Sequence, residues 1–321
     1  MSNENFPTTL VEAIRYFADP DTCLNFMVSL RWPDGVVCPR CGSRAVTFLA
    51  NARVWKCRVK HDKQKFSAKT GTVMEDSPIG LEKWWPAVWL IVNCKNGISS
   101  YELHRALGVT QKTAWFMLHR IRLAMQNGTF EKMSGQVEAD ETYIGGLARN
   151  MHKDKREKKI TGTGGSGKTA VMGLLERHGI DKTSKVRAKV VSNTQRETLQ
   201  GEVRQNVESG SEVFTDAYVS YKGLDPEYVH RVIDHAEAYV NGHIHTNGIE
   251  NFWSLLKRAI KGTYVSVEPF HLFRYLDEES FRFNERKVTD SEGFSEVAAS
   301  VAGKRLTYKQ LTGKALEPSL A

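Results

Sequence analysis

Four residues between Val37 and Phe66, in the run VCPRCGSRAVTFLANARVWKCRVKHDKQKF, restrict this chain most. Cys38 and Cys41 flank Pro39-Arg40 and precede Gly42, the spacing of a knuckle turn in which two thiolates converge on one ion. Cys57 follows after fifteen intervening residues, and His61 stands four positions further on. Three thiolates and an imidazole complete a tetrahedral Cys3His site for a structural Zn²⁺. A second CxxC would place the fourth ligand at Lys60, which cannot serve; His61 is the candidate, at a spacing that departs from that form. Val46–Leu49 and Val54–Cys57 read as two strands of a hairpin between the ligand pairs. So small a unit lacks a core of its own and needs metal to fold. The alternative is a degenerate ribbon that has lost its metal and folds by packing on its neighbour. Cys23 and Cys94, in CLNFMVSL and WLIVNC, read as plain buried thiols.

The remaining chain, 321 residues in all, has room for two or three domains. Its net charge of +8 is unevenly placed: up to Phe130 there are 17 basic and 10 acidic residues, so nearly all the excess lies there. A basic front on a near-neutral back indicates a polyanion-binding module, against the plainer reading of a solvated basic surface. No run approaches the ~18 apolar residues of a membrane span. The start, MSNENFPTTL, has neither the basic segment nor the apolar stretch of a secretory signal, so a cytoplasmic, nucleoid-associated place is expected.

From Leu81 the run LEKWWPAVWLIVNCKNGISSYELHRALGVTQKTAWFMLHRIRLAM carries apolar residues at helical spacing. Ser99 or Ser100 caps a second helix, Gly108 makes a tight turn, and Thr110 caps a third. A short helix, a glycine turn and a longer basic helix form a helix-turn-helix pattern, although any three-helix bundle looks similar. In that reading Gln111, Lys112 and Thr113 face the major groove, and Arg120 and Arg122 meet phosphates.

After Gly135 the period changes to two. Gln136–Ile144 alternates as a strand, with Asp140 sharing a face with Glu138 and Thr142, and Glu141 sharing the other with Val137, Ala139 and Tyr143. AVMGLLE and VRAKVV read as further strands, and Thr194 with Glu197 as a capping box for a helix through Val207. A short strand ends at Asp216, another spans Tyr228 to Ile233, and a helix starts near Asn247. On it Glu250 and Lys257, seven apart, lie about 20° from eclipsed. By spacing alone, a surface Glu and Lys is the commoner explanation of that pair.

CPRCG, WKCR, FSAKTGTVMEDS, VEADETYIGG, FTDAYVSYKGL and HTNGIENFWSLLKRAIKGTY together resemble the motifs of bacterial insertion-sequence DDE transposases that carry an N-terminal zinc ribbon. The likeness runs in order from about Asp34 to Asn284, with 33 residues between Asp216 and Glu250. It implies a multi-domain chain: zinc ribbon plus all-α helix-turn-helix, then an α/β RNase H-like catalytic domain with a mixed sheet. The boundaries expected are 1–33 for an N-terminal helical segment, 34–72 for the ribbon, 80–128 for the helix-turn-helix, 135–287 for the catalytic domain and 288–321 for a polar tail. Asp140, Asp216 and Glu250 correspond to the acidic triad, with Asp140 bridging two ions, and Lys257 to the basic residue seven after the glutamate. Glu278 and Arg282 correspond to an auxiliary Glu-x3-Arg element. A second arginine is expected at position 285, where this chain has Glu285; either Arg286 substitutes or that role is lost.

Three carboxylates brought together repel unless divalent cations neutralise them, and oxygen-only ligands select Mg²⁺ or Mn²⁺. The partners implied are double-stranded DNA (terminal inverted repeats and target DNA) and further copies of the chain, as a homodimer or larger. Two other classes compete: a catalytically inert DNA-binding regulator derived from a transposase, and an ATPase. The second rests on GTGGSGKT, residues 162–169, which matches GxxxxGK[ST] letter for letter. A working P-loop follows a buried strand and opens a helix, whereas here REKKI precedes and AVMGLL follows. The segment therefore reads as a basic loop, with no ATP bound. His243 and His245 precede the glutamate helix and line the cleft or are solvated, and Trp253 reads as core.

Overall fold

Thr9 and Asp19 open the first two helices by accepting backbone N–H bonds: α1, Leu10–Tyr16, with a Thr9/Glu12 capping box, and α2, Pro20–Arg31, with proline at its first position. The computed structural model describes residues 6–126, 131–145, 153–154, 167–177, 183–233 and 245–314. The chain divides into two units, 1–126 with 287–321, and 127–286. In the first unit β1 (Val46–Leu49), β2 (Val54–Cys57) and β3 (Lys65–Phe66) form an antiparallel sheet in that order, with Val46 opposite Cys57. Trp55 packs against Trp32, Phe48 and Phe66 and supplies the ribbon with the little core it has. Helix α3, Leu81–Asn93, buries Trp84, Trp85 and Trp89. Helix α4, Ser100–Leu107, starts on a Ser99/Glu102 capping box and ends at Gly108, whose φ of 60° is left-handed. Thr110 then caps α5, Gln111–Ala124.

The second unit is a five-stranded mixed sheet between helices. Its elements are β4 (Gln136–Ile144), β5 (Thr169–Glu176), β6 (Lys185–Val191), α6 (Arg196–Asn206), β7 (Glu212–Asp216), β8 (Val229–Ile233), α7 (Asn247–Ala259) and α8 (Leu272–Asn284). The order is β6-β5-β4-β7-β8; β4, β5 and β6 are antiparallel neighbours, while β7 and β8 run parallel to β4 after the α6 crossover. Six successive residues of β5 are buried because both faces are covered. Val137 and Ala139 pack with Leu199 and Val203 on one face; Val171 and Leu175 pack with Ile249, Phe252, Leu256 and Leu276 on the other.

Two expectations change. Gln195, not Thr194, precedes α6, because Asn193 Oδ1 accepts from the Gln195 amide and the Thr198 hydroxyl, while Thr194 bonds the hydroxyls of Tyr143 and Tyr218. The expected polar tail instead folds back on the first unit as α9 (Asp290–Ala299) and α10 (Tyr308–Leu311). Phe294, Val297, Ala298 and Val301 are buried at helical spacing, and Phe294 packs among Phe17, Phe26, Trp85 and Trp89. Lys304 Nζ then donates to the Ala124 and Gln126 carbonyls at the end of α5. Residues 162–166 of the glycine-rich segment and His243 lie outside the described residues, but strand β5, not a helix, follows Lys168. Among the described residues no helix is long and apolar enough to cross a membrane.

Candidate functional site

The β4–β7 ladder pairs Gln136 with Glu212, Val137 with Val213 and Glu138 with Phe214. Two residues past the last pair, beyond the end of that ladder, stand Asp140 on β4 and Asp216 at the end of β7. Paired residues of a parallel ladder point the same way, so both carboxylates lie on the face where Glu138 meets α7. Asp216 ends β7, and its Oδ1 accepts from the Tyr218 amide, closing a turn just beyond the strand.

Helix α7 brings Glu250, Trp253 and Lys257 to that face, and two contacts set how it approaches. Glu138 Oε2 accepts from the Ile249 amide in the first turn at 2.8 Å, while Glu138 Oε1 pairs with Arg177 Nε at 2.6 Å; both side chains are buried. The carboxylate thus complements the helix N-terminus and is itself compensated. Arg177 also stacks on Phe214 and donates to His245, so His245 belongs to this buried group. Opposite Asp140 across the β4–β5 ladder stands Gly173, and a Cβ there would lie 2.6 Å from the Trp253 ring and 2.8 Å from Ile249. The missing side chain lets Trp253 descend and donate Nε1–H to Asp140 Oδ2 at 2.9 Å. Trp253 is core, as expected, but it also orients the aspartate. Thr246 holds Glu250 Oε1 at 2.9 Å.

Burial pushes the Asp140 carboxyl up to about 6, against the Trp253 bond, and the like charges of Asp216 and Glu250 push the same way. Asp216 and Glu250 thus each lie within Coulombic range of Asp140. Their oxygens are not within one ion's shell: among the described residues only the Cys3His group has all donor atoms within 4.8 Å. Burial lowers the Lys257 ammonium, with Asp140 opposing and Lys261 and Lys168 adding to the fall, so Lys257 stands by Asp140. On the other face, Glu141 is pushed up to about 7 by burial, accepts from the fully buried Tyr221 hydroxyl at 2.8 Å, and feels Asp140 and Asp216.

Cys38 Sγ lies 3.4 Å from His61 Nε2, and Cys41 Sγ 3.6 Å from Cys57 Sγ. A tetrahedral zinc ion with bonds of ~2.3 Å to sulfur and ~2.05 Å to nitrogen sets these separations near ~3.6 Å and ~3.8 Å. His61 Nδ1–H donates to the Asp62 carbonyl, which leaves Nε2 as the ligand atom. Burial raises the Cys38 thiol, but the Arg40 and Cys41 amides prevail and bring it down to about 7. The group is a structural zinc site.

Of the residues expected at DNA, Lys112 is exposed and lies over Tyr308 of α10, Gln111 bonds Ser100, and Thr113 bonds Thr110. Arg120 and Arg122 are corrected: they are 6% and 1% exposed, and Arg120 donates to the carbonyls of Leu306 and Glu75. On α8, Glu278 and Arg282 are buried together 2.5 Å apart, with Glu279 on Arg282 and the Tyr264 hydroxyl on Glu278. At position 285 Glu285 pairs with Lys185, and Arg286 donates to Ser184 and Phe283 carbonyls.

Residues 132–284 match the family model of the ISXO2-like transposase domain, and residues 18–59 that of the transposase zinc-ribbon domain. The chain is 27% identical over 255 residues to an uncharacterized protein in transposable element ISH50 of Halobacterium salinarum, covering 76% of this chain and 84% of that protein. It is 36% identical over 105 residues to an uncharacterized transposase-like protein of Haemophilus influenzae, 32% of this chain and 85% of that one. The ribbon match stops two residues short of His61, which the geometry brings to the cluster.

Proposed function

The chain belongs to the family of ISXO2-like transposases with a zinc ribbon, and from that premise we propose that it cleaves the phosphodiester at insertion-sequence ends and joins the freed 3′-OH to target DNA. The observation that carries the reading is the placement of Asp140 and Asp216 two residues past the last β4–β7 pair, beside a helix that brings Glu250 and Lys257. The strand order, three antiparallel strands followed by two parallel to the first, supports an RNase H-like catalytic domain.

The donor set suits a hard divalent cation: carboxylate oxygens only, with Asp140 pushed up by burial and like charge that a cation relieves. Bound Mg²⁺ or Mn²⁺ would supply the Lewis acidity that activates water or a 3′-hydroxyl at the phosphodiester. Asp140, Asp216 and Glu250 would hold it. Trp253 fixes one oxygen of Asp140 and leaves the other for the ligand role, as Thr246 does for Glu250. Lys257, held near Asp140, would position the terminal phosphate by charge. Glu278 and Arg282, buried against Tyr264 below the helix, act as support for this face. DNA ends are paired, in this reading, by a dimer or larger assembly.

The test is purified protein on end-labelled duplex carrying the inverted repeats that flank its gene, with Mg²⁺, Mn²⁺ or neither, and Asp216→Ala alongside. Nicking at the repeat boundary that needs metal and is absent from Asp216→Ala, with DNA binding kept, is the expected result. A stable complex without a nick under either metal favours the inert DNA-binding regulator. Loss of binding together with cleavage in Asp216→Ala overturns the assignment of that residue.

A further inference from the structure

The zinc ribbon carries an arrangement that its fold does not need. Strand β2 alternates, with Trp55 and Cys57 inward and Lys56 outward; on β3, Phe66 is inward and Lys65 outward. The β2–β3 register sets Lys56 directly opposite Lys65. Directly opposed residues of an antiparallel pair hold their Cβ atoms about 5 Å apart, and like charges there destabilise the sheet. Two further cations, Arg40 from the knuckle and Lys63 from the β2–β3 turn, border the same groove of about 780 Å³. Among the described residues none of these four has an ion-pair partner. Glu75 and Asp76 also line the groove, and both are engaged by Arg305, at 3.5 and 2.5 Å. The groove is therefore lined by five cations against two acids, and those two acids share the single cation Arg305, so its charge is net positive with the four ribbon cations unpaired.

We infer that this groove, floored by Lys56 and Lys65 and bordered by Arg40 and Lys63, is a binding site for the phosphate backbone of duplex DNA. The inference rests on the reading of the chain as a DNA-handling protein and goes beyond it by moving the backbone contact from α5 to the ribbon. A row of phosphates supplies the anions that the cross-strand lysine pair lacks, and long lysine side chains follow a backbone without reading bases. Binding here is independent of sequence and positions the duplex.

The test uses the full chain, a fluorescent duplex of unrelated sequence and a salt titration without divalent ions, so that it stands or falls apart from cleavage. Each lysine withdrawn from a phosphate lowers the log–log salt slope by about 0.9, so the Lys56→Ala/Lys65→Ala protein is expected to show a slope smaller by about 1.8. It should keep its zinc and melt no lower than the parent, because a repulsion has been removed. Lys65→Glu turns the opposed pair attractive, and should raise the ribbon's melting temperature while weakening DNA binding further. Opposite movements of stability and binding are what a purely structural lysine pair would not produce. A parental slope in both variants overturns the inference, as does a slope that falls in Lys112→Ala instead. Loss of binding seen only together with loss of zinc overturns it too.

Discussion

Gly173→Ala probes the contact that orients the candidate catalytic face. The added Cβ would stand 2.6 Å from the Trp253 ring and 2.8 Å from Ile249 Cδ1, where carbon atoms in contact sit ~3.5–4.0 Å apart. About 1 Å must open, and neither neighbour is loose: Trp253 is buried and bonded to Asp140, Ile249 is buried and its amide is bonded to Glu138. Overpacking of this kind costs roughly 1–3 kcal/mol. If α7 lifts to make room, the two hydrogen bonds weaken as well, at about 1 kcal/mol each. The expected loss is therefore about 2–4 kcal/mol, a fall of roughly 4–16 °C in the melting temperature of a unit this size.

A shift of about 1 Å in Asp140 and Glu250 relative to Asp216 should slow end nicking on the order of a hundredfold. Calorimetry on the full chain and the end-nicking assay read the two effects. Gly201→Ala is the control: Gly201 lies on exposed α6 with nothing within 4 Å of its Cβ position, so alanine there should stabilise by about 0.4–1 kcal/mol. A Gly173→Ala protein that melts within a degree of the parent and nicks at its rate would refute the role given to this approach.

Glu138→Ala strips the buried Arg177 of its carboxylate and the first turn of α7 of its acceptor, so urea denaturation should show a loss of about 3–5 kcal/mol, largely recovered with Arg177→Met. Cys57→Ser should reduce the metal content from one zinc per chain and melt the ribbon, leaving the transition of residues 127–286 in place; zinc analysis beside calorimetry checks this. Asp140 and Glu141 are raised to about 6 and about 7, so the native chain holds protons that the unfolded chain has released. The stability from them is fully present below about pH 4 and lost as pH rises through 6 to 7. In divalent-free buffer the melting temperature should fall between pH 5 and 8, and Glu141→Gln should flatten that fall.

How much of the catalytic face is legible in the sequence depends on the range of the signal. The period-two pattern of Gln136–Ile144 separates Asp140 from Glu141 correctly, since backbone pleating alone decides it. The seven-residue spacing of Glu250 and Lys257 likewise follows from helix geometry. Glu138 reads only as a polar neighbour of Asp140, because its acceptor role needs the amide of Ile249, over a hundred residues away. Gly173 looks like one more apolar strand residue; only the β4–β5 register and the descent of Trp253 give its lack of a side chain a purpose. The zinc ligands are legible in full, down to His61, because both halves of the group are local turns joined by a short hairpin.

The basic residues divide the other way, and the reason is the chain's last helices. Helix periodicity does not reveal which positions of α5 a distant segment covers, so Arg120 and Arg122 read as basic residues open to DNA. Arg120 is covered by a segment some 180 residues later, where it reaches the Leu306 carbonyl, and Lys304 closes the helix end. No local pattern in α5 announces the cover, and the covering segment reads as polar because its buried residues sit between Ser and Lys. The lysines of the ribbon have no such cover, since a three-stranded sheet with a single packed face must leave the other to water. The same late segment carries Arg305 to Glu75 and Asp76, which line the same groove as those lysines. The late segment thus withdraws Arg120 from the anion-binding surface and brings a cation to the two groove acids, which leaves the ribbon lysines in a groove of net positive charge.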